Sequence, residues 1–578
     1  MMRRWIFAGL VLAVSIAAAT VMYHAPRALE ETAVAARPLD AMMPEGALLY
    51  IEAKDFSGLL KAWNSSQEKA EWLESDNHSV FSQSRLFLRL QKFFQRFGAV
   101  TGMPADTEFV TAAAGNESAL ALYDIGKIQF VYITHLKSRD FLNSALWQSR
   151  NKFQTRVAGG ITFFLRSDDE GKQMMAFAVA EDYLVLATRE DLMVRALQLV
   201  DRQPERSLSQ EAWYSAAVAG APKTRGELHM VLDMKKIAME PHFRTYWVQQ
   251  NITEMQSYSA AVSDLYCEGK TYREERVLVR KSGAERERGG GAKPSQAVAE
   301  LLSMVPEHYG FYQARAADSD EVLEVLQKIV LPHQPEDVTS ERNAPQVVLT
   351  SGEVGSESDL EARIDISANR GMELSAGPSA LKKQLDVADP MAFLEVQSTQ
   401  QNTDGGLLNM PRLLVVNAAT PWDADGVEQA IRSELATGLS VSKLGLQWRQ
   451  VNDQRYLELD GLHPLYIAVR DRFLFASNER VWLIKALQSG SGPRKDEGVT
   501  YVAGFDHAGE RENFYELTRV LDMATESKTW NGNYAPKFFS RNVGSLSRAL
   551  ERLESETVVE REEKDKVLQT VTYRFSRE

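Results

Sequence analysis

The sequence predicts an α+β protein: tandem duplicated domains with antiparallel or mixed sheets covered by helices, preceded by one N-terminal transmembrane or signal helix. Three observations carry that expectation. Strand-period apolar runs alternate with amphipathic helical runs of about three turns. Four blocks of the first half recur in the same order in the second. Residues 5–23 form one uncharged, mainly apolar run. The chain has 578 residues, 25% charged and 44% hydrophobic, an ordinary globular composition in a length that calls for more than one core.

In chain order, Arg3 and Arg4 precede the run Trp5–Tyr23, which is close to the length of a spanning helix. The arginines should stay cytoplasmic, with the acidic Glu30 and Glu31 on the far side, so the bulk of the chain is expected outside the inner membrane. Ala17–Ala19 offers a small-x-small cleavage site that would release the chain; the length of the run favours an uncleaved anchor over residues 1–26. Residues 27–41, rich in Ala, Pro and Glu, read as a tether.

A first α+β domain is expected over 42–282, a Gly-rich charged linker over 283–297 and a second α+β domain over 298–578. Met43–Trp63 matches Val305–Gln327: each opens with Pro-Glu, runs into a strand with Tyr50 or Tyr312, turns at Asp55 or Asp318 and continues as a helix. Phe130–Trp147 parallels Leu413–Ile431, and Tyr272–Ser282 resembles Lys566–Ser576. Phe177–Gln198 lines up with Tyr466–Gln488, a hairpin turned at Glu181-Asp182 and followed by a helix. Thr188 there aligns with Ser477, both N-cap types, and Glu190 with Glu479 in the first turn; one extra residue in the second helix restores the alignment. Hairpins followed by helices suggest a sheet covered on one face.

The net charge of -13 argues against general nucleic-acid binding, because a phosphate backbone needs a cationic face. The single cysteine, Cys267, permits no intramolecular disulfide, and no neighbour in sequence activates its thiol. None of the nine histidines stands at metal-ligand spacing, and no Walker loop, dinucleotide fingerprint or nucleophile elbow occurs. The pairs Ser66/Lys69, Ser379/Lys382 and Ser440/Lys443, and the triplet Ser75-Asp76-Asn77, lack the remaining motif of penicillin-binding enzymes. The acids of Asp168-Asp169-Glu170 and Glu181-Asp182 fall in turns, where they are solvated. No catalytic residue, cofactor site or metal site follows.

Two surface candidates remain. On a helix over Ser84–Gly98, Arg85, Arg89, Lys92 and Arg96 form a basic stripe beside an apolar one containing Phe93 and Phe97. Such a helix suits an anionic membrane surface or a partner; a core-facing helix with cations in water has the same pattern and is commoner. Two aromatic loops follow equivalent strands: one carries Phe243, Tyr246 and Trp247, the other Trp530, Tyr534 and Phe538. They suit glycan, peptide or amphipathic partners, although aromatics more often fasten a loop to its own core.

With its N-terminal run, the opening block Met43–Leu60 and the block Tyr183–Leu197, the chain resembles a group of uncharacterised bacterial exported or membrane-anchored envelope proteins built of strand–helix repeats and known only as domains of unknown function. The resemblance implies location and architecture and brings no catalytic residues. The expectation is a non-enzymatic binding, scaffolding or assembly protein on the outer side of the inner membrane, with the membrane as one partner and an envelope protein as another. A hydrolase with a dispersed site is the alternative, and a structural spacer a third.

Overall fold

A computed structural model describes residues 37–576 except 84, 102–109, 111–112, 137–140, 143, 168–173, 241–254, 282–291, 331–379, 401–409, 439–445, 452–453, 460–463, 490–497, 526–539, 546–549 and 564. The chain divides into two compact units, Met1–Glu285 with Phe514–Glu578, and Arg286–Asn513. The stretch 514–578, read from the sequence as part of the second domain, packs with the first.

The first unit runs β1 (Leu49–Ala53), α1 (Phe56–Ser65), α2 (Gln67–Glu74), α3 (Asp76–Ser82), α4 (Arg85–Thr101), β2 (Ser118–Asp124), β3 (Gln129–His135), α5 (Ala145–Gln148), β4 (Gln154–Ala158), β5 (Ile161–Ser167), β6 (Met174–Ala180), β7 (Tyr183–Ala187), α6 (Glu190–Val200), α7 (Ala212–Gly220), β8 (Leu228–Asp233), α8 (Met234–Ile237), β9 (Tyr258–Glu268) and β10 (Thr271–Arg280). The second contains α9 (Ala292–Leu301), β11 (Phe311–Ala316), α10 (Ser319–Val330), α11 (Ala380–Ala388), β12 (Pro390–Gln397), β13 (Arg412–Ala418), α12 (Ala424–Gly438), β14 (Leu446–Val451), β15 (Gln454–Leu459), β16 (Leu465–Arg470), β17 (Phe473–Ser477), α13 (Arg480–Gln488) and β18 (Val499–Asp506). After α14 (His507–Thr525), β19 (Leu553–Glu562) and β20 (Lys566–Phe575) return to the first unit.

All strand pairs described are antiparallel. In the first unit their order is β4-β5-β6-β7-β3-β2-β1-β8-β9-β10-β20-β19. Every residue of β7 is buried. Alternation sends Tyr183, Val185 and Ala187 into a core with α6 and α7, and Leu184 and Leu186 into another with Phe97 and Val100 of α4 and Leu146 of α5. The sheet is therefore covered on both faces, where the turn pattern suggested one.

The second unit orders its strands β14-β15-β16-β17-β13-β12-β11-β18. Leu414 and Val416 meet α10, α11 and α12, while Leu413 and Val415 are buried on the opposite face. On that face the Asn417 amide donates to the carbonyl of Ala297 in α9. Helix α9 begins inside the stretch expected to be linker, because Ala297, Val298 and Leu301 bury one side of it.

The order β14-β15-β16-β17-β13-β12-β11-β18 repeats β4-β5-β6-β7-β3-β2-β1-β8 position for position, down to single hydrogen bonds. Phe130 N donates to Thr188 Oγ1 at 2.9 Å, and Arg412 N to Asn478 Oδ1 at 2.7 Å. Lys236 N donates to Asp233 Oδ1 at 3.0 Å, and Gly509 N to Asp506 Oδ1 at 2.9 Å. Asp55 and Asp318 both cap the following helix, accepting from Gly58 N and Glu321 N. Each β-turn before the shared strand–helix unit has a non-glycine residue at positive φ, Glu181 at 53° and Asp471 at 52°.

These bonds correct the sequence alignment by one residue. Thr188 corresponds to Asn478, not Ser477, and Arg189 to Glu479. One register then runs from the turn through the helix with no inserted residue. Thr188 is not the cap either: the N-caps are Arg189 and Glu479. Thr188 instead holds an N–H of β3 that would otherwise lack a partner.

Candidate functional site

Strands with inward apolar positions rarely place ionisable residues there, yet the first unit does so across three neighbouring strands, with two acids and a histidine. Glu52 of β1 lies opposite His229 of β8, and His229 opposite Asp264 of β9. They continue the face that Tyr50, Val231 and Val262 line with apolar atoms. All three are buried, Asp264 completely.

Other elements close over this row. Arg225, just before β8, donates to Glu52 and, at 2.7 Å, to Asp40 Oδ2. Asp40 belongs to a 3-10 turn, Leu39–Ala41, that packs on the sheet and is sealed by Leu39, Met42 and Met43. Tyr214 of α7 donates to Asp40 at 3.0 Å, and the Tyr50 hydroxyl donates to Glu52. His229 Nδ1 lies 2.9 Å from Asp264 Oδ1, which also accepts from Gly226 N at 2.8 Å. Gly226 is required here: a Cβ would lie 2.4 Å from the Leu265 carbonyl oxygen.

The electrostatics follow from crowding acids around one guanidinium. Burial alone would lower the pKa of Arg225, but Glu52 and Asp40 outweigh it and hold the pKa above its ordinary value. Burial, then the charge of Glu52, raises the phenol of Tyr50; burial, then Asp40, raises that of Tyr214. Half-buried Glu117 at the edge is raised by burial and by repulsion from Glu52. The arrangement acts as a clamp: Asp40, inside the stretch 27–41 read from the sequence as a tether, is fastened to the sheet by Arg225 and Tyr214.

His229 and Asp264 pair as a base and its orienting acid do, but no described side chain hydrogen-bonds to His229 Nε2 as a nucleophile would. Two small cavities lie elsewhere among the described residues, of about 30 Å³ beside Phe93, Phe97 and Lys127 and about 10 Å³ beside Val427 and Trp448. Each has room for roughly one or two waters, far below the size of a substrate pocket. Among the described residues no group of three or more His, Cys, Asp or Glu could hold a metal ion. The Cys267 thiol is half-buried, and burial raises its pKa, the opposite of what activates a thiolate.

The second unit keeps the frame and not the cluster. Tyr312 stands where Tyr50 does, but the pair equivalent to Glu52 and His229 is Ala314 opposite Val502.

Of the residues singled out from sequence, Arg85, Arg89, Lys92, Phe93, Arg96 and Phe97 all lie on α4. Phe97 is buried in the core, Phe93 is half-buried against Phe130, Arg89 donates to the Gly126 carbonyl, and Lys92 and Arg96 are exposed. Phe243, Tyr246, Trp247, Trp530, Tyr534 and Phe538 lie outside the described residues, as do Trp5 and Tyr23. No described helix is long and apolar enough to cross a membrane. Sequence reasoning missed the clamp, although a signal existed: Glu52, His229 and Asp264 each interrupt the inward side of an apolar strand.

No family model and no curated protein matches the chain. Among solved structures, crystal forms IV and I of TP0453 are each 11% identical with a TM-score of 0.23, covering 42% and 44% of this chain and 80% and 82% of theirs. Form III is 10% identical over 44% of this chain and 84% of its own, with a TM-score of 0.24. Likeness at this level carries no argument about fold or function.

Proposed function

We propose that this chain is a non-enzymatic binding, scaffolding or assembly protein of the bacterial cell envelope, held on the outer side of the inner membrane by residues 5–23 and built by tandem duplication. The repeated strand order and the paired hydrogen bonds support duplication. The observation that carries the location and role is the clamp at the end of the tether. Leu39, Met42 and Met43 are fully buried, and Asp40 is bound by Arg225 and Tyr214, so residues leading back toward the apolar run leave the domain from a fixed point. Such a mount suits a protein that must hold a position at a membrane while its surfaces meet a partner. The resemblance to repeat-built envelope proteins agrees with this reading.

Photo-cross-linkers at exposed Val157, Val387 and Val481 in intact cells test it. Capture of the same envelope protein from at least one position in independent experiments is the expected result. Failure to recover any reproducible partner sinks the binding role, and a mature N-terminus just after Ala19 sinks the anchor.

A further inference from the structure

Helices α2 to α4 carry a concentration of exposed apolar side chains: Leu73 (49%), Phe81 (37%), Leu88 (51%) and Phe94 (47%). They are not scattered. Trp72 meets Phe81 with ring centroids 6.1 Å apart, Phe81 meets Phe87 at 5.6 Å, and Phe93 meets Phe94 at 5.7 Å. An aromatic seam thus joins the three helices, and its outer rim is left to solvent. The layer is also pinned: Asn77 N donates to Ser545 Oγ at 3.0 Å, and Arg541 pairs with Asp76 at 3.4 Å.

Charge on α4 runs against the molecule, whereas α2 and α3 carry Glu71, Glu74 and Asp76. The chain is acidic overall, yet residues 85–101 contain no Asp or Glu. Leu88, Lys92 and Arg96 follow one another at helical spacing on the outward side of α4, and neither cation has an ion-pair partner among the described residues. In the second unit, α10 opens with Asp320 and Glu321, which an anionic surface would repel. Cations beside exposed Leu and Phe complement a surface that is both anionic and penetrable by apolar groups.

We propose that the α2–α4 layer lies against anionic lipid headgroups, with Leu73, Phe81, Leu88 and Phe94 entering the interface and Lys92 and Arg96 meeting the phosphates. The proposal rests on the reading of residues 5–23 as a membrane segment. That reading supplies proximity: residues 24–36 extend to at most about 45 Å before Arg37, where the chain joins this same unit.

The test uses the full chain with Cys267→Ser and Phe94→Cys, spin-labelled at position 94 and reconstituted in vesicles of phosphatidylcholine, with or without phosphatidylglycerol. Contact with oxygen and shielding from aqueous nickel chelate in the anionic vesicles is expected. Lys92→Glu with Arg96→Glu should weaken that immersion about tenfold or more, and a label at Val481→Cys should stay in water. A label at 94 exposed to water in both vesicle types, in protein that floats with vesicles after alkaline carbonate, overturns the proposal and leaves the anchor standing. A label shielded from both probes means a protein cover, a second copy included, and also overturns it. Release into carbonate refutes the anchor alone. Adding that released protein to anionic vesicles at low salt then decides the surface: immersion supports it, and exposure overturns it.

Discussion

Arg225 pairs with two buried carboxylates, Glu52 and Asp40. Removing it in Arg225→Ala leaves Glu52 and Asp40 facing each other without compensation, a costlier change than losing an exposed ion pair. A loss of about 2–4 kcal/mol in denaturant unfolding is expected, with faster proteolysis around residues 37–43 as the strap loses its fastening. Tyr214→Phe removes one hydrogen bond and should cost about 1 kcal/mol. Glu117 behaves in the opposite sense to most acids. Its pKa in the fold is raised, so the folded chain takes up that proton before the unfolded chain does. Stability relative to Glu117→Gln should therefore grow as pH falls through the raised value and level off below the ordinary value of 4.5. At neutral pH, Glu117→Gln should be the more stable by ~0.5 kcal/mol, because solvent at this half-buried edge screens the repulsion. Equilibrium unfolding of both proteins across that range checks the sign.

The strand–helix unit β7-α6 and its counterpart β17-α13 use different side chains for one task. Thr188 and Asn478 each satisfy an N–H of the neighbouring strand, so Thr188→Ala and Asn478→Ala should each cost about 1 kcal/mol. Hydrogen exchange at Phe130 and Arg412 locates the loss. Much of these elements could be read in advance: the hairpin turn, the helix after it, the turns at Asp55 and Asp318, and the recurrence itself. The register could not. Ala-Thr and Ala-Ser are so alike that chemistry favoured aligning Thr188 with Ser477, and only the bonds to β3 and β13 put Asn478 in that place. The clamp was hidden for a different reason. Asp40, Glu52, Arg225 and Asp264 come from separate parts of the chain, and each alone resembles an ordinary charged residue. On α4, the sequence stripe showed which residues share a helix and which apolar stripe could face a core, but it did not show that Leu88 and Phe94 stay outside.

At the scale of the molecule, the chain from Phe514 onward belongs to the first unit. Nothing local announces that β20 pairs with β10 through nine opposed residue pairs from Thr271–Arg574 to Val279–Lys566. A chain ending at Leu550 should therefore lose amide protection at the β10 residues that bond to β20 and aggregate through the open edge, while β11 to β18 keep theirs. Uniform protection in both sheets would refute the dependence of the first unit on the returning hairpin.

The same pairing sets an order in time. Strand β10 leaves the ribosome well before β20, and everything from Lys281 to Asp565 must follow before the gap closes, tens of seconds at about 5–20 residues per second. Through that interval the nascent chain presents a bare strand edge. A chaperone that shields extended backbone would have its longest engagement with this protein there, and an interrupted chain would keep the edge open as a mark for proteolysis.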